Sequence, residues 1–184
     1  MVSDYKEILS DSAKGMKRSA IRELLKLTQK PEIISFAGGL PAKESFPLEQ
    51  LQEICAEVIA TDGAAACQYG STEGVPELLE ILAQRYRDQG LSYVTKENIT
   101  IITSSQQGLD TVGKIFLNRG DKYICELPSY LGALGAFNSY GGVGVGIPQD
   151  EQGMSAVELE KTLAEMKAKG AVSYTHLTLP TTPY

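Results

Sequence analysis

The chain has 184 residues, 42% of them hydrophobic and 22% charged, with 18 glycines and a formal net charge of −6. That is enough apolar sequence to bury a sizeable core, and scattered positive residues on an acidic background argue against a nucleic-acid partner held by counterion release. No stretch is long or apolar enough to span a bilayer and no signal-peptide apolar region opens the chain, so a cytoplasmic protein is expected, with no membrane partner.

The elements follow in chain order. Residues 19–27 form an amphipathic segment with Ile21, Leu24 and Leu25 on one side, broken at Pro31. An extended 33–36 runs into Ala37-Gly38-Gly39-Leu40-Pro41, where paired glycines permit positive φ or close backbone approach. A helix is predicted from Pro47 to about Thr61, with Leu48, Leu51, Ile54, Cys55, Val58 and Ile59 on one face. The loop Gln68-Tyr69-Gly70-Ser71-Thr72-Glu73-Gly74 leads into a second helix near Pro76, which buries Leu78, Leu79, Leu82 and Tyr86 and ends at Gly90. Beyond it strands are expected at 99–103, 122–126 and 143–147, alternating with helices at 106–117, 131–140 and 156–169. Such alternation indicates βαβ crossovers and a mainly parallel α/β sheet, whose ligands gather at the carboxyl ends of the strands. Cys55, Cys67 and Cys125 have no C-x-x-C spacing and lie in apolar surroundings, as buried free thiols do.

Two strand ends carry the candidate chemistry. Ile102-Thr103-Ser104-Ser105-Gln106 is an apolar run that stops on hydroxyl residues and turns into a helix. Its free N–H groups and the helix dipole suit an anion such as a phosphate; a plain N-cap is the alternative. The next strand ends in Glu126-Leu127-Pro128-Ser129-Tyr130, placing an aromatic where it could cover a flat ring held by that turn. Gly142-Val143-Gly144-Val145-Gly146 lacks dinucleotide-binding spacing and enters a strand, so it is set aside. The sole histidine, His176, lies in a Thr/Pro-rich stretch, Ser173-Tyr174-Thr175-His176-Leu177-Thr178-Leu179-Pro180-Thr181-Thr182. That stretch resembles translated sequencing-adapter read-through and is expected to be a non-native tail over 172–184. Without it no histidine remains for a triad, and no metal site is expected.

Four blocks in this order and spacing, Ser35-Phe36-Ala37-Gly38-Gly39-Leu40-Pro41, Gln68 to Gly74, Ser105-Gln106-Gln107-Gly108-Leu109-Asp110 and Pro128-Ser129-Tyr130, resemble class I/II pyridoxal-phosphate aminotransferases of fold type I. The nearest branch is that of 2-aminoadipate and broad-specificity aminotransferases, which includes the aminotransferase-like domain of MocR-type regulators. The resemblance implies part of a three-layer α/β/α large domain with an incomplete sheet: an N-terminal arm and helix over 1–32, then a partial large domain over 33–171. It implies pyridoxal 5'-phosphate as cofactor, amino acid and 2-oxo acid as substrates, and a homodimer. Ser104, Ser105 and Gln106 would bind the cofactor phosphate; relatives often have Gly at the position of Ser104, whose Cβ alters how closely the backbone approaches. Tyr130 would stack on the pyridine ring, unless it is simply a buried tyrosine. Tyr69 would reach the phosphate of the neighbouring subunit's cofactor, a capped core tyrosine being the alternative. Gly38 and Gly39 would line the substrate pocket or serve only as a turn.

The family's Schiff-base lysine, its ring-contacting Asn and Asp and its carboxylate-binding Arg follow well beyond these blocks, and none maps onto this chain. Lys114, in a predicted helix, and Lys122, at a strand start, do not match the lysine. The resemblance therefore implies an N-terminal part of an amino-acid transaminase, itself inactive and with uncovered strand edges. The alternative is the ligand-sensing domain of a MocR-type regulator, which would require an upstream winged helix-turn-helix; the short segment after Met1 holds no basic recognition helix.

Overall fold

The computed structural model describes residues 5–15, 33–34 and 41–169. The predicted helix at 19–27, the glycine pair Gly38 and Gly39, and the tail over 172–184 lie outside the described residues. The chain divides into two compact units, residues 18–101 and residues 1–17 with 102–184.

In the first unit, α2 (Leu48–Ala66) begins where expected and has a kink at Asp62, where φ −140° and ψ 25° leave the helical range. The predicted end near Thr61 marks that kink; one further turn follows it. The apolar stripe is present, but no described residue covers it: Leu48 is 67% exposed and Ile59 60%. Cys55, on that stripe, and Cys67, at the helix end, are exposed and Cys125 is half-buried, where all three were expected to be buried. Helical spacing places residues on one face but says nothing about what packs there. The next helix, α3 (Pro76–Asp88), starts with Pro at its first position and is followed by Gly90 at φ 94°. It buries Leu79 and Ala83, while the expected Leu78 and Tyr86 are exposed. Arg87 ties its last turns together through Glu80 and Gln84 and donates to the Val94 carbonyl, fixing the following loop.

In the second unit, α1 is short (Asp11–Gly15), and Asp11 pairs with Arg119 at 3.1 Å. The long helix α4 (Ser105–Phe116) is followed by β1 (Lys122–Leu127), α5 (Leu131–Ser139), β2 (Val143–Asp150), β3 (Gly153–Met154) and α6 (Ala156–Ala168). β1 and β2 run parallel, Lys122 beside Val143 through Leu127 beside Pro148, with α5 as their crossover. The short antiparallel β3 extends β2 at Gln149 and Asp150, an addition the periodicity did not signal. A core of Leu109, Leu117, Tyr123, Ala133, Ala136 and Phe137 joins α4 and α5 to one face of β1. Within it, the rings of Tyr123 and Phe137 meet edge to face at 5.1 Å. Tyr123 OH donates to Asn138 Oδ1 at 2.9 Å, so its buried hydroxyl is satisfied. Ile124 and Ile147 are buried outside that cluster, and α6 packs on β2.

The strand expected at 99–103 does not form among the described residues. Its backbone N–H groups bond locally, Ile99 to the Lys96 carbonyl and Thr103 to Gln107 Oε1, and at one distant point, Ile101 to the Glu73 carbonyl at 2.7 Å, with no repeating ladder. A strand exists only beside a neighbour, and the described sheet is β1–β2–β3 alone. Among the described residues, no helix is long and apolar enough to cross a membrane.

Candidate functional site

The turn from 103 to 107 is built as a helix N-terminus. Ser104 is the N-cap, extended at φ −164° and ψ 167°, and its side chain makes no capping hydrogen bond. Its carbonyl accepts the N–H groups of Gln107 at 3.0 Å and Gly108 at 3.4 Å. Gln107 reaches back in turn, its Oε1 accepting the Thr103 N–H at 2.6 Å. The N–H groups of Ser105 and Gln106 meet no acceptor among the described residues, and both residues are exposed. Two orphan donors, two exposed serines and the positive end of a helix dipole thus lie within one turn, a donor set that suits an anion.

Beside it stands the turn after β1. Tyr130 is the N-cap of α5 and is 53% exposed among the described residues. The Leu127–Pro128 peptide is cis. The Pro128 carbonyl accepts a hydrogen bond of 2.6 Å from Gln149 Nε2 on β2, which ties the turn to the neighbouring strand. From the first turn of α4, Gln106 Nε2 donates to the Gly132 carbonyl at 3.4 Å. A Cβ built on Gly132 would lie 2.6 Å from Tyr130 Cε1 and 2.9 Å from Gln106 Oε1. The aromatic turn and the phosphate-type turn therefore converge at Gly132.

The two helices behind these turns are locked together. Tyr140 OH donates to Asp110 Oδ2 at 3.1 Å across the α4–α5 contact. Loss of solvent around the phenol, with the Asp110 carboxylate beside it, holds the Tyr140 pKa above its ordinary value. A Cβ on Gly113 would lie 2.9 Å from Tyr140 Cδ2 and 3.2 Å from Phe137 Cδ1, so the absence of a side chain lets the helices close.

Of the predicted residues, Ser104, Ser105, Gln106 and Tyr130 are thus brought together by one unit. Tyr69 belongs to the other unit and is fully exposed, its N–H held by Gln68 Oε1 at 2.8 Å. No described residue covers its ring. Lys114 sits in the last turn of α4 and Lys122 begins β1. Sequence reading missed Gly132 and Gln149. A glycine two positions after an aromatic N-cap is a usable signal for the first; a lone glutamine late in a strand offers none. A shallow cavity of about 450 Å³ in the first unit, lined by Tyr86, Leu91, Tyr93, Val94, Asn98, Ile99 and Thr100, contains none of the predicted residues.

The family described as Aminotransferase class I and II matches residues 31–176. An aromatic-amino-acid aminotransferase of Thermococcus litoralis is 43% identical over 97% of this chain, which spans 43% of that relative's length. The crystal structure of an archaeal alanine:glyoxylate aminotransferase superposes with a TM-score of 0.88 at 34% identity, covering 97% of this chain and 45% of the other. LysN, the alpha-aminoadipate aminotransferase of Thermus thermophilus, solved with N-(5'-phosphopyridoxyl)-L-leucine, gives a TM-score of 0.76 at 39% identity over 88% of this chain and 39% of its own. A helix-turn-helix regulator of Escherichia coli also matches, at 28% identity.

Proposed function

We propose, from the premise that this chain belongs to the class I and II aminotransferases, that it is the phosphate- and ring-binding part of an amino-acid transaminase. The family is pyridoxal-phosphate dependent, and the residues present fit that group. The single observation that carries the reading is the pair of unpartnered N–H groups on Ser105 and Gln106 at a helix start, joined through Gln106 and Gly132 to the Tyr130 turn. Such donors suit a phosphate dianion, and an aromatic side chain beside the turn suits a flat ring attached to it.

In this reading the Ser105 and Gln106 N–H groups hold the phosphate, with the Ser104 and Ser105 hydroxyls adding donors. Tyr130 covers one face of the ring and keeps water from it. Tyr69 serves a partner subunit's phosphate, which its full exposure permits and which makes the working protein a homodimer. The substrate-pocket role of Gly38 and Gly39 rests on the family resemblance alone. Bound pyridoxal phosphate supplies an electron sink for negative charge at the substrate Cα. No lysine of this chain is assigned the covalent or proton-moving role. The substrates are an amino acid and a 2-oxo acid, in cytoplasmic amino-acid biosynthesis.

The test is the full-length protein titrated with pyridoxal phosphate, then assayed for amino transfer from L-2-aminoadipate, L-phenylalanine or L-leucine to 2-oxoglutarate. Saturable binding with transfer from at least one donor is expected. Binding without transfer from any of the three would favour the ligand-sensing alternative, and absence of binding would refute the site.

A further inference from the structure

Helix α5 carries glycines at 132 and 135, although neither has a positive φ, and glycine is the poorest helix former after proline. Nothing lies within 4 Å of a Cβ built on Gly135, one turn along. Gly132 differs. A Cβ there would lie 2.6 and 2.7 Å from Cε1 and Cζ of Tyr130 and 2.9 Å from Gln106 Oε1, closer than van der Waals contact allows. The ring edge of Tyr130 thus occupies the volume that a side chain at 132 would fill.

The surroundings decide which partner would yield. The backbone is anchored on both sides of the ring: Pro128 O accepts from Gln149 Nε2 at 2.6 Å, and Tyr130 O accepts from Leu134 N at 3.2 Å. Tyr130 is 53% exposed, so its ring has room to swing outward. A methyl group at 132 therefore moves the ring and the Gln106 amide, and leaves the helix and strand in place.

We propose that Gly132 is a positioning residue that seats the Tyr130 ring, setting its height over the Ser105–Gln106 turn and hence its stacking on a bound pyridine ring. This rests on reading the turn as a pyridoxal-phosphate site. Gln106 takes part twice, its N–H facing the phosphate and its side-chain amide bracing the first turn of α5 at Gly132.

The test is a double-mutant cycle in the full-length protein with Gly132→Ala and Tyr130→Ala, read by pyridoxal-phosphate affinity and by the circular dichroism induced in the bound cofactor. Gly132→Ala is expected to weaken binding by about threefold to tenfold, the range of a misplaced aromatic contact, and to alter the induced signal. In the Tyr130→Ala background the same substitution should change affinity by less than about twofold, because no ring remains to displace and the Gln106 amide can swing aside without moving its backbone N–H. Unchanged affinity and signal in Gly132→Ala would overturn the proposal, as would an equal loss in both backgrounds. If Gly132→Ala alone fails to fold, the double variant must fold, since the ring clash is gone and the remaining 2.9 Å contact is with the far end of the flexible Gln106 side chain; failure of both makes the glycine a backbone requirement and sinks the idea. A wild-type protein that binds no pyridoxal phosphate would instead remove the site reading on which the proposal stands.

Discussion

Replacing Ser105 by proline separates ligand binding from folding at this turn. Ser105 opens α4, and its N–H has no acceptor among the described residues, so proline removes no observed internal hydrogen bond. The first helical position accepts proline's fixed φ, and Ser104 already has the extended backbone that a residue before proline must adopt. The folded state should therefore lose nothing, and the stiffer unfolded chain should add about 0.5 kcal/mol of stability. The ligand loses the Ser105 N–H together with the hydroxyl, and Ser105→Ala isolates the hydroxyl's share. A hydrogen bond to a charged group is worth about 1.5–3 kcal/mol, so pyridoxal-phosphate affinity should fall by roughly 10- to 150-fold. Ser105→Ala, which removes only the hydroxyl, should cost less. Fluorescence titration with pyridoxal phosphate gives the affinity, and thermal unfolding of the cofactor-free full-length protein gives the stability. Unchanged affinity in the proline variant would show that the Ser105 N–H does not hold the phosphate. A clear drop in cofactor-free stability would show that this N–H has an internal acceptor after all.

Two further expectations concern the packing behind the turn. Gly113→Ala gains about 1 kcal/mol in helix propensity, but it forces a methyl to within 3.2 Å of Phe137, which is only 2% exposed, and overpacking costs about 1–3 kcal/mol. A net loss of about 1 kcal/mol follows; a raised Tm would mean that α4 and α5 have slack. Burial first, and the neighbouring Cys125 second, push the Tyr123 pKa from 10.0 up to about 12. A pKa raised by folding gives stability that is fully present below the unfolded value and lost as pH rises through the folded one. The fold should therefore weaken between about pH 10 and pH 12. Tyrosinate absorbance should show a late phase coincident with unfolding, absent in Tyr123→Phe; early titration of Tyr123 would contradict its burial.

What was legible in the sequence follows the reach of each signal along the chain. The hydroxyl run at Ser104–Ser105 after Ile101 and Ile102 is a local statement about where a helix begins, and α4 begins there. The alternation from Lys122 onward fixed β1, α5, β2 and α6 to within three residues at each end, because the period of each element lies in its own residues. The run at 99–103 has equally strong strand composition and forms no ladder among the described residues, because a strand is defined by a partner that composition cannot supply. The stripe on α2 fails for a related reason: 3.6-residue spacing identified Leu48, Leu51 and Ile54 as one face, and burial depends on a second surface. The same division runs through the candidate site. Ser105 and Gln106 were readable from their neighbours, whereas Gly132 matters through Gln106, 26 positions away, and Gln149 through Pro128, 21 positions away. A helix start with unpartnered N–H groups can thus be found from local backbone logic, while the contacts that tie it to the Tyr130 turn act across crossovers and emerge only when the βαβ unit is closed.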